Sequence, residues 1–353
     1  MEVKCSKLLG AIYCIVLIPA LVSCNGSGNV FQADVSFPKA EHEYSISGVK
    51  QNITENIGLS SIYIYDSLLI AKTSAAACEK QFVVYSTSGM SCLGKYVAKG
   101  RGANELLRPI GKGAIRVKET GNGFYVFDLN QNTSFVWDVN ASVQDSVLDM
   151  RLLCRFRGAV LDAMPYCDSL HLVKEYSEDG LSYKVINDKH EYVREYSVYT
   201  DVSGIGFYDK LSSADVASSS EYHSLAMAMC FLPQINIIDM KSGTKRTLAV
   251  DRKYRDWAKV LNRENMDLDV YYLSACPLAE YLVALYCGEP MQDWLHGNYK
   301  PHLHVFSWSG KLVCDIALDE SLKSIAVDER CRVVYGLDAE DNIYRYDLSE
   351  LGL

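Results

Sequence analysis

The stretch KSIAVDERCRVVYGLDAEDNIYRYDL, Lys323–Leu348, decides the fold of this chain. It contains three short runs in which apolar and polar residues alternate, Ser324–Val327, Arg332–Leu337 and Ile343–Leu348, separated by turns rich in Asp, Glu and Asn. Alternation with a period of two is typical of antiparallel strands that bury one face. The stretch therefore predicts three of the four strands of a β-propeller blade.

The same pattern recurs five times upstream, which predicts six blades. We name the strands of each blade a to d from the central channel outwards. The predicted c strands recur at the interval expected of a four-stranded blade, at Phe82, Phe135, Tyr183, Ile235, Leu303 and Ile343. The interval before Leu303 is longer than the others. Residues 251–265 explain it, because their apolar side chains recur at helical spacing and predict an inserted amphipathic helix.

The two ends of the pattern predict how the ring closes. The last unit lacks a strand d, and Glu43–Ser47 (EYSIS) is a candidate strand without neighbours of its own. We expect this N-terminal strand to supply the outer strand of blade six, which would remove the two exposed edges of an open array. The predicted fold class is all-β, a six-bladed propeller of four-stranded antiparallel blades.

The N-terminal sequence predicts an export signal. Lys4 and Lys7 precede the apolar stretch Leu8–Val22, which is the layout of a secretory signal peptide. The sequence Leu-Val-Ser-Cys that ends at Cys24 resembles the lipobox of bacterial lipoproteins, in which the cysteine after the cleavage site carries lipid. We therefore predict a signal peptide at 1–23, a lipid anchor and tether at 24–40, and a propeller at 41–353. The alternatives are a plain signal peptide or an anchor helix.

Composition excludes some classes of function. The formal charge of −9 comes without any basic run, which argues against nucleic acid as a partner. Nine of the twelve cysteines remain after Cys5, Cys14 and Cys24 are set aside, and an odd number cannot all pair. Several of them lie inside apolar strands, where a free cysteine packs as a small hydrophobic residue. No CxxC pair is present.

The chain also resembles a known family. The lipobox, six units of this length, the junction Gly100–Glu105 (GRGANE) and the final stretch together resemble the TolB-like six-bladed propeller lipoproteins of gut anaerobes. The resemblance implies a propeller fold and a cell-envelope location. No acidic run follows Cys24, unlike the surface-export signals of some gut-bacterial lipoproteins, so we expect the protein to be tethered to the outer membrane and to face the periplasm. Three Asp-Ser-aliphatic triplets, which begin at Asp66, Asp145 and Asp168, also resemble the O-glycan acceptor motif of such bacteria.

The loops point to one face of the predicted propeller. In this fold the d–a and b–c connections lie on one face, and the a–b and c–d turns lie on the other. The long connections all belong to the first set: Gly100–Ile110, Asp251–Asp269 and Gly288–Pro301. We call this side the long-connection face and the opposite side the hairpin face. Loops held by a rigid scaffold carry function, so we expect binding at the long-connection face.

Candidate ligand-binding residues lie in those three connections. The first contains Arg101, Glu105 and Arg108, and Gly100 and Gly102 are expected to take positive φ and let a ligand approach the backbone. The alternative is that these charged groups clasp neighbouring loops. The second connection offers Tyr254 and Trp257, for which packing of the inserted helix is the alternative.

The third connection offers aromatic rings beside a carboxylate and an imidazole, which suit carbohydrate recognition: Asp293, Trp294, His296 and Tyr299. Packing of the loop on its own scaffold is the alternative. A metal site formed by Asp293, His296, His302 and His304 is not expected, because the spacing matches no recognised ligand set.

Asp162 and Asp328 on the inner strands are candidates for holding a calcium ion in the channel, although capping of a turn is the interpretation that we favour. No other cofactor is expected.

Function is less specified than fold. No nucleophile elbow, zinc-protease motif, phosphate-binding loop or dinucleotide fingerprint occurs in the sequence. The sequence therefore favours a monomeric, envelope-anchored binding or scaffolding protein that presents one propeller face to a glycan, a peptide or an envelope protein. The alternative is a propeller hydrolase, lactonase or lyase with its site at the channel mouth.

Overall fold

Six antiparallel sheets surround a central channel in the computed structural model. The structure describes residues 31–351 apart from 32, 56, 75–77, 103, 118–120, 159, 168–169, 178–179, 188, 190, 199–208, 251–259 and 261–262. The sheets are the six blades expected from the sequence, and this confirms the predicted fold class. The signal peptide, Cys24 and the tether up to residue 30 lie outside the described residues, as do Tyr254 and Trp257.

Each blade is built from strands a to d in chain order, starting at the channel. Blade one contains Leu59–Tyr65, Leu68–Thr73, Lys80–Ser86 and Cys92–Lys99. Blade two contains Pro109–Val117, Gly121–Asp128, Thr133–Asp138 and Asp149–Arg155. Blade three contains Val160–Cys167, Leu170–Ser177, Gly180–Asn187 and Tyr192–Ser197.

The second half of the ring follows the same plan. Blade four contains Ala214–Ser219, Ser224–Met229, Gln234–Asp239 and Lys245–Ala249. Blade five contains Asp269–Pro277, Tyr281–Pro290, His302–Ser307 and Leu312–Leu318. Blade six contains Leu322–Asp328, Val333–Asp338 and Ile343–Asp347. Its outer strand comes from the N-terminus, as Val49–Lys50.

The closing strand differs from the one expected. An N-terminal strand does complete blade six, but it is Val49–Lys50, antiparallel to Ile343–Asp347. The expected strand EYSIS, apart from Ser47, lies within His42–Ile46, which runs parallel to Leu312–Leu318 as a fifth strand on blade five. A short run of alternating apolar and polar residues fits the outer edge of blade five as well as that of blade six, because it buries one face of the strand at either edge.

The N-terminal segment therefore follows the outer rim of three blades. Asp34–Ser36 adds a parallel fifth strand to blade four before the chain reaches blades five and six. At the crossing into blade six, Gly48 donates its N–H to Asp319 Oδ1 at 2.9 Å. A Cβ atom on Gly48 would lie 2.6 Å from the ring of Tyr346, so only glycine fits there. Glu105–Leu106 forms a similar parallel edge strand on blade one.

Helices are few in the described part of the chain. Val139–Asp145 is an α-helix in the c–d connection of blade two, and Asp138 caps it by accepting the N–H of Ala141 at 2.9 Å. The c–d connections lie on the hairpin face, where only short turns were expected, and for blade two that expectation is wrong. The other helices are Asp209–Ser212 and Met291–Leu295, with 3-10 turns at Asn265–Asp267 and Ser349–Leu351. The inserted helix expected at 251–265 falls largely outside the described residues.

Apolar side chains from neighbouring blades interlock to form the core. Between blades one and two, Trp137 is fully buried against Phe82 and Phe124, and its indole N–H donates to Ser142 Oγ at 2.9 Å. Nine cysteines lie in the described part of the chain, and Cys154, Cys287 and Cys314 are buried. Within the described residues, no helix is long and apolar enough to cross a membrane.

The inner strands share a local irregularity that matters for the channel. In blades one, two, three, five and six, the pairing of strands a and b shifts register near the start of strand a. Such bulges redirect side chains and interrupt the regular pleat. These shifts lie toward the long-connection face, where strand a begins, except for a second shift between Pro165 and Cys167 at the end of strand a in blade three.

Candidate functional site

A cavity of about 880 Å³ occupies the channel. Strand a of every blade contributes to its wall, and Trp294 joins the wall from the b–c connection of blade five. A volume of several hundred cubic ångströms is the usual size of a small-molecule site. The channel is therefore open enough to hold a ligand.

Four side chains from successive blades form what we call the lumen cluster: Tyr63, Lys112, Asp162 and Asp215. Tyr63, Lys112 and Asp215 line the cavity. Asp162 contributes by holding the Lys112 ammonium, with Oδ2 2.6 Å from Nζ. The cluster thus combines a phenol, an ammonium and two carboxylates on one side of the channel.

The sequence Gly111-Lys112-Gly113 explains how the lysine reaches the cavity. A Cβ on Gly111 would lie 2.7 Å from Phe124 and 2.8 Å from Tyr63, so glycine lets both rings cross the strand. Gly113 has a φ of +90°, which is a region that L side chains rarely adopt. The bulge at these residues leaves Lys112 free to point away from the regular pleat.

Lys112 and Asp162 form a partly buried ion pair. Their side chains are 13% and 16% exposed. The other Asp162 oxygen, Oδ1, accepts the N–H of Ala163 at 2.9 Å, which fixes the carboxylate. Burial alone would lower the pKa of Lys112, but the charge and hydrogen bond of Asp162 outweigh it and raise that pKa. The lysine is therefore held in its charged form.

Asp215 joins the inner strands of blades four and five. Its Oδ1 accepts the N–H of Val216 at 3.0 Å, and its Oδ2 accepts the N–H of Ala275 at 2.7 Å. Burial raises the pKa of Asp215, while the nearby Lys112 charge and the two backbone N–H groups oppose that rise. The carboxyl is therefore rigidly placed and lines the cavity.

Tyr63 completes this side of the channel. Its hydroxyl lies 3.0 Å from Ser61 Oγ, and its ring meets Phe124 edge-on with centroids 5.4 Å apart. Burial raises the pKa of Tyr63, so the hydroxyl remains protonated at neutral pH. It can donate one hydrogen bond and accept another.

The remaining wall is rich in hydroxyl groups. The serines that line the cavity number seven: Ser60, Ser61, Ser213, Ser218, Ser220, Ser274 and Ser324. Ser324 Oγ accepts the N–H of Ile62 at 3.4 Å and so links blade six to blade one. Lys323 also lines the cavity, but its ammonium is bound to Asp341 at 3.2 Å.

The long connection after blade one behaves mainly as a clasp. Glu105 Oε2 accepts the N–H of Gly102 at 2.9 Å, and the Glu105 carbonyl accepts from Gln131 of blade two at 2.9 Å. Arg101 and Arg108 have exposed side chains. The expectation of positive φ at Gly100 and Gly102 is wrong. A Cβ on Gly100 would lie 1.9 Å from Glu105 Oε2, so a larger residue there would displace the Glu105 carboxylate from its hydrogen bond with Gly102.

The four candidate residues of the blade-five connection differ in how deeply they are buried. Tyr299 is buried and donates to the carbonyl of Leu322 at 2.7 Å, which makes it a structural residue. Trp294 is half-buried at the cavity, and Asp293 is also half-buried. His296 is exposed on the surface, with Nδ1 2.6 Å from the carbonyl of Gln292.

The blade-five histidines form a separate group with a tyrosine and a carboxylate. We call Tyr272, His302, His304 and Asp315 the blade-five network. His304 Nδ1 lies 3.0 Å from the Tyr272 hydroxyl, and Asp315 Oδ1 lies 2.6 Å from His302 Nδ1 and 3.9 Å from His304 Nε2. His304 also stacks on Tyr286 at 4.5 Å.

Burial lowers the pKa of His304 to about 4. The hydrogen bond that His302 donates to the Asp315 carboxylate raises the pKa of His302.

The two carboxylates considered for calcium have other partners. Asp328 Oδ1 accepts the N–H of Cys331 at 3.3 Å, which confirms the turn-capping interpretation. For Asp162 that interpretation is wrong, because its partner is Lys112. Across the described ranges, no three His, Cys, Asp or Glu side chains converge in a way that could hold a metal ion. The donor set around Asp162 does not fit calcium.

Sequence reasoning missed Tyr63, Lys112 and Asp215. The available signal was an ionisable residue near the start of strand a in three successive blades, in GKGAI, VLDAM and ADVAS. Only Asp162 was singled out from these. Because strands a of neighbouring blades meet at the channel, their polar residues come together even though they are about 50 residues apart in sequence.

Comparison with solved structures finds other propellers at low identity. A Bacteroides fragilis protein described as exported matches with a TM-score of 0.52 and 10% identity over 86% of this chain and 98% of that one. The WD40 repeats of RRP9 match with a TM-score of 0.49, 11% identity and coverages of 88% and 99%. U3-55K matches with a TM-score of 0.46, 9% identity and coverages of 88% and 100%.

No family model and no curated protein matches the sequence. At these identities, the similarity supports the fold and nothing more specific.

Proposed function

We propose that this protein is an exported binding protein that admits its ligand to the channel from the long-connection face. The observation that carries the proposal is the cavity lined by Tyr63, Lys112 and Asp215. Binding sites are usually concave, with a few fixed polar groups among apolar ones. Asp215 and the Lys112–Asp162 pair meet that description, because backbone N–H groups fix both carboxylates.

The residues predicted from the sequence form the rim of the proposed entrance. Arg101, Arg108, Asp293, Trp294 and His296 would contact the outer part of a ligand, with Glu105 holding the first loop in place. We extend the same role to Tyr254 and Trp257 of the connection between blades four and five. The ligand classes in this proposal are a glycan, a peptide or a segment of an envelope protein.

The test is a thermal-shift screen of wild-type protein and two variants of Ala114. Ala114 is exposed and lines the cavity, so Ala114→Trp would fill the channel and Ala114→Ser is the matched control. The compounds are sugars, amino acids, dipeptides and nucleosides. We expect at least one class to raise the Tm of wild type and Ala114→Ser but not of Ala114→Trp, since a ligand stabilises the state that binds it. Equal shifts in all three proteins, or none, would contradict the proposal.

We also propose that lipid on Cys24 tethers the protein to the outer membrane on its periplasmic side, as a monomer. The lipobox-like sequence supports this, and the Bacteroides fragilis neighbour is described as exported. Membership of the TolB-like family is part of the same proposal. Metabolic labelling with an alkyne fatty acid should mark the wild type but not Cys24→Ser. Wild-type protein that stays unlabelled would exclude the anchor.

A second candidate function is a hydrolase, lactonase or lyase. It is favoured by Asp215, because a buried carboxyl with a raised pKa is suited to acid–base catalysis. Lys112 and Tyr63 could supply a positive charge and a proton donor beside it. Turnover of any compound found in the screen, abolished in Asp215→Asn, would support this candidate. Stable binding of unchanged compound would exclude it.

A further inference from the structure

We infer that the channel accepts a neutral polyhydroxylated ligand, namely a mono- or disaccharide or the end of a longer glycan. The inference rests on the proposed function and names the ligand class for the same cavity. It is argued from the charge balance of the wall, from the mixture of hydrogen-bonding groups and from the aromatic ring at the entrance.

The charges on the wall already have partners. Lys112 is bound to Asp162 at 2.6 Å and Lys323 to Asp341 at 3.2 Å. Asp215 is stabilised by two backbone N–H groups and by the nearby ammonium of Lys112. A ligand with a net negative charge would find no unshared ammonium on the wall, and a cation would have to share Asp215 with Lys112 and two backbone N–H groups. Either would lose hydration in a partly desolvated channel without a counter-charge of its own, which is costly. A neutral ligand avoids this cost.

The hydrogen-bonding groups of the cavity wall suit a ligand with several hydroxyls better than a ligand with a single charged group. Asp215 accepts, Lys112 donates, and the Tyr63 hydroxyl and the wall serines can do both. A sugar hydroxyl is likewise a donor and an acceptor. Such groups around a cavity can match several adjacent hydroxyls at once, and the rigid carboxylate of Asp215 is a fixed acceptor among them.

The entrance offers an apolar surface for the face of a sugar ring. Trp294 lines the cavity and is half-buried against the apolar group that contains Val270, Cys287 and Tyr299. Its short helix, Met291–Leu295, starts directly after strand b of blade five. An aromatic ring held in this way beside carboxylates and hydroxyls is a common arrangement in ligand sites with both apolar and polar contacts.

Isothermal titration calorimetry tests the inference. The probes are neutral sugars (glucose, galactose, mannose, N-acetylglucosamine, lactose and cellobiose), two uronates (glucuronate and galacturonate), and glycine, lysine and Ala-Ala. We expect a neutral sugar to bind wild type and Ala114→Ser with similar affinity. Affinity should fall at least tenfold in Ala114→Trp and about tenfold in Asp215→Asn, the loss of one good charge-assisted hydrogen bond.

The outcomes separate this inference from the proposed function. If only a uronate, an amino acid or the dipeptide binds, and Ala114→Trp abolishes that binding, the channel is a ligand site but the saccharide inference is wrong. If nothing binds, or if a sugar binds Ala114→Trp as tightly as wild type, both are wrong. Tyr63→Phe provides a second, milder variant should Asp215→Asn fail to fold, and the same loss of sugar affinity, by a few-fold, is expected.

Discussion

The lumen cluster and the blade-five network use the same kinds of side chain in different surroundings. Each combines a tyrosine with ionisable groups from several strands, and each contains a carboxylate within 2.6 Å of a basic nitrogen. The network lies within one blade, where His304 and Tyr272 are almost fully buried. The cluster joins several blades, and three of its four side chains line an open cavity, whereas in the network Tyr272 alone does so. Hydrogen bonding and charge alone therefore do not identify a site; the two groups differ in how many of their polar side chains line the cavity.

The largest expected effect belongs to the network and depends on pH. The pKa of His304 is lowered to about 4 in the folded protein. Between about pH 6.5 and 4 this histidine is therefore protonated in the unfolded chain and neutral in the folded one. Stability is therefore full above pH 6.5 and falls as the pH drops toward 4, by about 3 kcal/mol. Denaturant unfolding at several pH values measures this directly.

Two neighbours of His304 act differently. The raised pKa of His302 favours folding at lower pH and opposes part of the loss, while the lowered pKa of Asp315 matters only below its ordinary range. The control is His304→Gln, which cannot titrate. An unchanged pH dependence in this variant would rule out His304 as the cause.

The next largest effect tests whether Lys112 stabilises the fold through its ion pair with Asp162. Lys112→Met leaves Asp162 without its counter-charge, and we expect the free energy of unfolding to fall by about 2 kcal/mol, less than for a fully buried pair because both side chains keep some exposure. The double variant Lys112→Met, Asp162→Leu should recover most of this loss. A double variant no more stable than the single one would mean that Lys112 stabilises through packing instead.

A matched pair of substitutions compares the two regions directly. Tyr272→Phe removes the partner of His304 Nδ1 and should cost about 1 kcal/mol of stability while leaving sugar affinity unchanged. Tyr63→Phe removes a hydroxyl that lies beside the cavity and should cost less than about 0.5 kcal/mol, yet weaken sugar binding a few-fold. Unfolding curves measure the stability of each variant, and calorimetry measures its affinity for sugar. Reversed results would mean that the network, not the cluster, contacts ligand.

The smallest effects are expected at the entrance. Arg101→Ala should change stability by less than about 0.5 kcal/mol, because its side chain is exposed. Its effect on a monosaccharide should be at most about twofold, growing for longer glycans that reach the rim. Calorimetry with sugars of increasing length tests this. An effect of Arg101→Ala on monosaccharides as large as that of Asp215→Asn would move the site from the channel to the face.

The fold could be predicted from the sequence because its strands and turns depend on local residue patterns. Alternation and turn residues marked the strands of every blade, and these follow from backbone geometry alone. The closing strand was assigned to EYSIS instead of Val49–Lys50, since a two-residue strand carries no periodic signal. The helix at Val139–Asp145 was missed for a similar reason: its seven residues continue directly from strand c.

The site was harder to predict because its residues meet only in three dimensions. Lys112, Asp162 and Asp215 come from three blades, and nothing in the sequence pairs a lysine with a particular aspartate. Glu105 and Tyr299 were chosen as candidates on residue type, and the structure gives both of them internal hydrogen-bond partners. A loop rich in polar and aromatic residues can serve its own packing as readily as a ligand.

The path of the N-terminal segment has a consequence for how the protein is made. Asp34–Ser36, His42–Ile46 and Val49–Lys50 pair with blades four, five and six, which is the order in which those blades are synthesised. The N-terminal strands can therefore pair one at a time as each partner blade is made. The final step, Val49 against Arg345, joins positions about 300 residues apart and must wait for the end of the chain. Until then the rim strands are exposed edges, open to pairing with other chains.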